Sequence, residues 1–262
     1  MIDIHNHILP DVDDGSKSMS MSLDMLKNAA NQGITDVINT VHFQHPKVEG
    51  SDISYERLIK KVEELQKTMN EQRIAINIHL AAEVFFLPNL VSIIDEPITT
   101  IGDKKYMLIE FMPNYIPEIH KKIFFDLKMA GVTPIIAHPE RYGPVQKDIN
   151  LVLQWLNTGC LIQVDAGSIL GALGIAAKKS SEMIIKQNWC QIIASDAHDN
   201  KKRNFLLSDA LSLVRTWIGD NAILLVNDYP KNILEGIPIN ADFDSNEVKS
   251  NFWNRLLNNN DK

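Results

Sequence analysis

The sequence predicts a single α/β domain built as a barrel of repeated strand and helix units. Two observations lead there. Short β-branched or apolar runs alternate with longer amphipathic ones from end to end, the pattern of strands joined by crossover helices around a parallel sheet. The length of 262 residues is usual for one such barrel, and no linker or internal repeat breaks the alternation.

Seven strands are predicted, at residues 2–4, 36–41, 74–82, 106–111, 133–137, 160–164 and 191–195. The first is too short to show a period and rests on Ile2 and Ile4. The helix at 23–30 separates it from the second. The next helix is the clearest, because Leu58, Val62, Leu65 and Met69 share one face while Lys60, Lys61, Glu63 and Glu64 share the other. Similar stripes place helices at 119–129, 151–156, 175–185 and 206–217, and Gly131 and Gly159 sit where helix C-caps belong. The barrel is expected over residues 1–240. The Asn- and Asp-rich stretch 241–262 reads as a peripheral helix with a frayed tail.

At 45% hydrophobic and 23% charged the chain is neither disordered nor a coiled coil. Lys and Arg total 26 against 33 Asp and Glu without a block of like charge, which disfavours a general nucleic-acid binder, since that role needs a basic face. No basic and apolar leader opens the chain and no apolar run approaches the roughly eighteen residues of a membrane span. A cytoplasmic protein without direct membrane insertion is expected. Cys160 and Cys190 read as reduced, buried thiols. The sixth residue after each is Ala166 or Asp196, so the Cys-to-Arg loop of cysteine phosphatases is absent.

Five of the eight histidines fall at or just beyond predicted strand ends: His5, His7, His42, His138 and His198. Glu83, Glu110 and Asp196 lie at the same level. In parallel barrels the loops that follow the strands converge on the active site. Any one of these residues has an ordinary explanation, and a lone His-x-His is a weak signal. Glu110 is stronger, because a charge inside Met107-Leu108-Ile109-Glu110-Phe111 must be paired or metal-bound. Together they predict a metal site. His45, His79 and His120 fall elsewhere and are expected to be packed or solvated. In the turn Asp11-Val12-Asp13-Asp14-Gly15, spacing does not choose among the acids.

Asp3-Ile4-His5-Asn6-His7-Ile8-Leu9-Pro10, Asp13-Asp14-Gly15, Glu83, Ile109-Glu110-Phe111, Ala137-His138-Pro139-Glu140-Arg141 and Ala194-Ser195-Asp196-Ala197-His198 together resemble the polymerase and histidinol phosphatase (PHP) superfamily. The resemblance covers roughly residues 1–235. It is closest to the bacterial manganese-dependent protein-tyrosine phosphatases associated with capsule and exopolysaccharide synthesis. It implies a distorted (β/α)7 TIM-like barrel with three divalent ions, Mn2+ by family, with Zn2+ or Fe2+ also compatible with the donors. By resemblance, His5, His7, Glu83 and Asp196 hold the first ion. Glu83 bridges to a second completed by Glu110 and His138, and Asp14, His42 and His198 hold the third.

Four carboxylates against three divalent ions leave about two positive charges for a phosphate dianion, and a water on such ions loses its proton near neutral pH. Arg141 and Arg203 match the family's phosphate-binding positions, and the guanidinium fork suits phosphate oxygens. A loop salt bridge is the ordinary alternative for each, with Glu140 beside Arg141. The implied substrate is a phosphotyrosyl protein, by family a membrane-associated bacterial tyrosine kinase. A phenol with a pKa near 10 leaves with less protonation than an alkoxide. Phe43, after His42, is a candidate to stack on the tyrosine ring. Histidinol phosphate or another small phosphomonoester is the rival substrate, and a non-catalytic metal-binding regulator of phosphoproteins is the rival outside enzymes. Amidohydrolase-type deaminases also use His-x-His barrels, but commonly place a carboxylated Lys where Glu110 stands.

Overall fold

Seven parallel strands, β1 (Ile2–Asn6), β2 (Asp36–Phe43), β3 (Asn77–Phe85), β4 (Tyr106–Glu110), β5 (Thr133–Ala137), β6 (Leu161–Asp165) and β7 (Ile192–Ala194), pair in sequence order. The structure, a computed structural model, describes residues 1–48 and 53–239. The sheet curls until its first and last strands meet. Asp196 N donates to His5 O at 2.8 Å and His7 N to Ala197 O at 2.8 Å, while Asp3 accepts from Ser195 N and Oγ across the same seam. The barrel is nearly closed, as the α/β barrel reading expects.

Side-chain alternation then sorts the strands into two layers. Ile2, Ile4, Ile38, Ala81, Leu108, Ile135, Leu161, Ile192 and Ala194 fill the barrel interior. Val37, Val41, Val84, Ile109, Ile136, Ile162 and Ile193 face outward into a larger core beneath the helices. Two residues beyond interior Ala81, Leu108 and Ala194 come Glu83, Glu110 and Asp196. The strand period therefore carries acids into the mouth of the barrel above an apolar plug.

The helices are α1 (Met19–Asn31), α2 (Tyr55–Glu71), α3 (His120–Met129), α4 (Gly143–Lys147), α5 (Asn150–Asn157), α6 (Ala166–Leu170), α7 (Ile175–Lys186), α8 (Leu207–Ile218) and α9 (Asp228–Glu235). α1 starts at Ser18, whose side chain accepts from Met21 N. α2 buries the predicted stripe of Leu58, Val62, Leu65 and Met69. Gly131 and Gly159 follow α3 and α5 with φ of 85° and 80°, the left-handed conformation that ends helices there.

Three departures from the sequence reading have physical causes. β3 begins at Asn77 rather than residue 74, because the chain leaves α2 through a left-handed Arg73 and Ile74 N still bonds Met69 O. α4 and α6 are single turns, too short for a period to register. α9 buries only Pro230 and Ile233, yet Ile233 closes the lower end of the barrel interior. The segment 241–262 lies outside the described residues, as does residue 240. Among the described residues, no helix is long and apolar enough to cross a membrane.

Candidate metal centre

The expected ligand positions converge at the C-terminal mouth of the barrel. His5, His42 and Glu83 stand within β1, β2 and β3 rather than just past them, and Glu110 is the last residue of β4. His138, Asp196 and His198 follow β5 and β7, while His7 and Asp14 follow β1. Donor atoms of His5, His7, Glu83 and Asp196 lie within 4.8 Å of one another, as do those of His7, Asp14, His42 and His198, and those of His42, Glu83 and Glu110. Two of these sets contain the first and third sets implied by the resemblance. The remaining set differs in detail: His42 stands with Glu83 and Glu110, and His138 adjoins it through Nε2, 2.8 Å from Glu83 Oε1. His138 and Asp196 have φ of 34° and 46°. Left-handed backbone at non-glycine residues costs on the order of 1–3 kcal/mol and recurs at functional sites. Here it turns both residues into the mouth just past their strands.

Buried polar partners fix the imidazoles. His5 Nδ1 donates to Gln163 Oε1 at 2.9 Å, His7 Nδ1 to Asp13 Oδ2 at 2.8 Å, and His198 Nδ1 to Asp196 O at 2.9 Å. Each leaves Nε2 turned toward the cluster, the arrangement by which outer hydrogen bonds set the tautomer of a metal-binding histidine. Sequence reasoning missed Gln163 and left Asp13 undecided. Asp13 also accepts from Gly15 N at 2.9 Å. A Cβ on Gly15 would stand 2.2 Å from His7 O, so the acidic turn packs against His7 only because that residue is glycine.

The charge balance inside the mouth is severe. His5 Nε2 and His7 Nε2 each sit 3.3–3.4 Å from oxygens of Glu83 and Asp196 without hydrogen-bond geometry, and Glu110 Oε1 is likewise buried without a hydrogen bond. Burial opposes a charge on His5, but the Glu83 and Asp196 carboxylates overcome it and raise its pKa to about 9. His7 is raised well above the ordinary histidine value, against burial, chiefly by Asp13. Burial and repulsion from Glu83 push Glu110 up to about 7. Protons on imidazoles thus do here what cations do better. Imidazole and carboxylate donors without thiolate fit a borderline or hard divalent ion, and buried atoms facing one another without hydrogen bonds are what such ions would satisfy.

Asp196 joins this cluster to the arginines. Its Oδ1 faces His5 and His7, while Oδ2 accepts from Arg141 Nη1 at 2.5 Å and Arg203 Nη2 at 2.6 Å. Arg141 also lies 3.5 Å from Asp165. Glu140 is not the partner that sequence adjacency suggested: it turns inward, accepts from Asp165 N at 3.0 Å, and is pushed up to about 8 by burial and by Asp165.

The remaining residues divide. His79 is partly exposed beside Asp36, and His120 is buried in α3 with Nδ1 donating to Pro117 O, both as expected. His45 is packed, as expected, but against the site itself. Left-handed Gln44 turns it back over the mouth, where it stacks on His42 with centroids 4.7 Å apart and lies 3.8 Å from Glu110. Phe43 is a correction, because it packs against the core beneath the helices rather than lining the mouth.

The family model described as capsular polysaccharide synthesis, CpsB/CapC, matches residues 1–235. The chain belongs to this family. Among CpsB/CapC relatives, CapC of Staphylococcus aureus is 36% identical over 98% of this chain and 100% of its own length. Tyrosine-protein phosphatase YwqE of Bacillus subtilis is 28% identical over 89% of this chain and 91% of its own. A solved structure from work on YwqE and on CpsB of Streptococcus pneumoniae, described as metal-dependent tyrosine phosphatases, aligns with a TM-score of 0.85 at 28% identity. It covers 92% of this chain and 96% of that one.

Proposed function

We propose that this CpsB/CapC protein is a metal-dependent protein-tyrosine phosphatase that removes phosphate from tyrosine on a protein partner, by family a membrane-associated bacterial tyrosine kinase of capsule or exopolysaccharide synthesis. The observation that carries the reading is the meeting of three donor sets at the barrel mouth with two arginines on the outer oxygen of Asp196. The residues assigned to metal are His5, His7, Asp14, His42, Glu83, Glu110, His138, Asp196 and His198, holding three divalent ions, Mn2+ in preference to Zn2+ or Fe2+. Such ions polarise phosphoryl oxygens, neutralise their charge and make water acidic enough to attack at neutral pH.

The chain itself positions and discriminates. Arg141 and Arg203 have partly exposed side chains and present guanidinium forks at the rim, where they bind two phosphate oxygens. Asp13, Gln163 and the Asp196 carbonyl hold three imidazoles with Nε2 inward. Hydrolysis forms a bond from water oxygen to phosphorus and breaks the bond to the phenolic oxygen, releasing phosphate and tyrosine. No cysteine takes part, since burial pushes Cys160 up to about 12 and raises Cys190 as well.

The test is phosphate release from a phosphotyrosyl peptide and from histidinol phosphate, with added Mn2+ and with chelator. Peptide turnover that chelator abolishes and Mn2+ restores is expected. Turnover of histidinol phosphate alone would replace the substrate assignment, and peptide binding without turnover at saturating Mn2+ would make the protein a regulator.

A further inference from the structure

Opening outward from the metal centre is a cleft of about 450 Å³. Its floor is Glu110, His138 and Arg141, all part of the candidate centre, with His45 at the edge. Its walls come from the segments that follow three successive strands: Met112 and Pro113 after β4, Tyr142 and, in α4, Gln146 after β5, Leu173 and, in α7, Ala177 after β6. The deep part is rigid. Tyr142 OH donates to Ala137 O at 2.8 Å and accepts from Phe111 N at 3.0 Å, which ties the ends of β4 and β5 together behind the wall. The outer part is apolar and open, with Met112 48% exposed. Beyond the floor and His45, the wall carries no charged side chain, and Gln146 is its polar group.

We propose that this cleft is the leaving-group subsite, which receives the uncharged aromatic ring of an aryl phosphate, with Met112 and Leu173 as its specificity-determining walls. The proposal rests on the phosphatase reading above and adds where the organic half of the substrate lies. A phosphate held by Arg141 is at the cleft floor, so its ester substituent has an apolar path outward between the loops after β4 and β6. A cavity of this size with apolar outer walls above a polar floor suits a planar ring carrying a phosphate. A cationic alkyl chain gains nothing from such walls. A second cavity, beside the start of α1 and the segment after β7, carries Asp24, Asp199, Lys201 and Lys202 next to Met21 and is the alternative seat for the ester substituent. The cleft also replaces Phe43, which faces the core, as the ring's contact.

The experiment uses the full chain with Mn2+ and compares calorimetric binding of phenylphosphonate and methylphosphonate, which differ in the ring and are not hydrolysed. The wild type is expected to prefer the phenyl compound by roughly tenfold, the scale of a hydrophobic pocket contact. Met112→Ala and Leu173→Ala, both at partly exposed positions, should each reduce that preference about fivefold and raise KM for phosphotyrosine more than they lower kcat. Equal binding of the two phosphonates by the wild type would overturn the proposal. So would a preference that survives both substitutions, or one that is lost in Lys201→Ala or Lys202→Ala instead. Because the binding ratio does not require turnover, it fails separately from the phosphatase reading, which the chelator experiment tests.

Discussion

At the scale of single residues, the site depends as much on what holds the histidines as on the histidines themselves. Asp13 anchors His7 Nδ1 and is drawn down to about 2, against its burial, by that imidazole. Asp13→Ala should weaken Mn2+ binding on the order of 10- to 100-fold, measured by calorimetry on folded protein; unchanged affinity would show that His7 needs no anchor. Gly15→Ala should have a similar effect by another route, since its Cβ must displace His7 backbone, and retained metal content in that variant would contradict the packing argument. His138→Ala and Asp196→Ala should abolish phosphate release, whereas Arg203→Ala should mainly raise KM; a normal rate in purified His138→Ala would refute its place in the centre. Much of this site is legible in the sequence, because strand ends and residue type together mark Glu83, Glu110 and Asp196. Gln163 carries the same signal as Glu110 in weaker form, a polar but uncharged residue inside the apolar run Leu161-Ile162-Gln163-Val164. Asp13 and Asp14 cannot be told apart by spacing, since one acid serves His7 and its neighbour faces His42 and His198. That His45 packs over the mouth is not legible, because a loop reversal at Gln44 has no periodic signature.

Whole elements show the same division between what repeats and what does not. Strands of five residues with β-branched or apolar runs, and helices of twelve or more with one apolar face, are visible because period and length reinforce each other. Single-turn α4 and α6 and the sparsely buried α9 are set by contacts the sequence does not advertise. α3 combines both cases. Its predicted stripe buries Ile123, Phe124 and Leu127, and its first residue, His120, is enclosed by Phe111, Phe124 and Trp155. Burial lowers the His120 pKa below its ordinary 6.5, so the unfolded chain takes up a proton here before the folded one does. Stability from this residue is therefore complete above about pH 6.5 and declines as the pH falls below that value toward the depressed folded pKa. His120→Phe removes the proton site and keeps an aromatic ring. Chemical-denaturation midpoints followed from pH 7.5 to 5 should fall less steeply in the variant than in the wild type, and parallel slopes would mean that His120 is not the group that titrates.

For the molecule as a whole, the consequence is that metal and fold are coupled. The assigned ligands are distributed over six of the seven strands and the segments that follow them, from His5 to His198. No short peptide of this chain gathers more than a few of them, so the unfolded state binds ions far more weakly than the barrel. The seam sharpens the coupling, because Asp196 N and His7 N, which close β1 against β7, belong to two of the residues proposed as ligands. Ions selective for the folded state stabilise it by about 2.7 kcal/mol per site at a hundred times Kd. For a barrel of this size each kcal/mol moves the melting temperature by roughly 2–4 °C, so Mn2+ in that excess should raise it by at least about 5 °C over chelated protein, and further if more than one site fills. The rise should scale with the logarithm of Mn2+ concentration and shrink in an Asp196→Ala variant, which removes one of the three donor sets. A melting temperature indifferent to Mn2+ in a protein that still turns over phosphotyrosine would mean that the ions bind a preformed mouth too weakly to stabilise it, and that the strained backbone at His138 and Asp196 is held by the barrel alone.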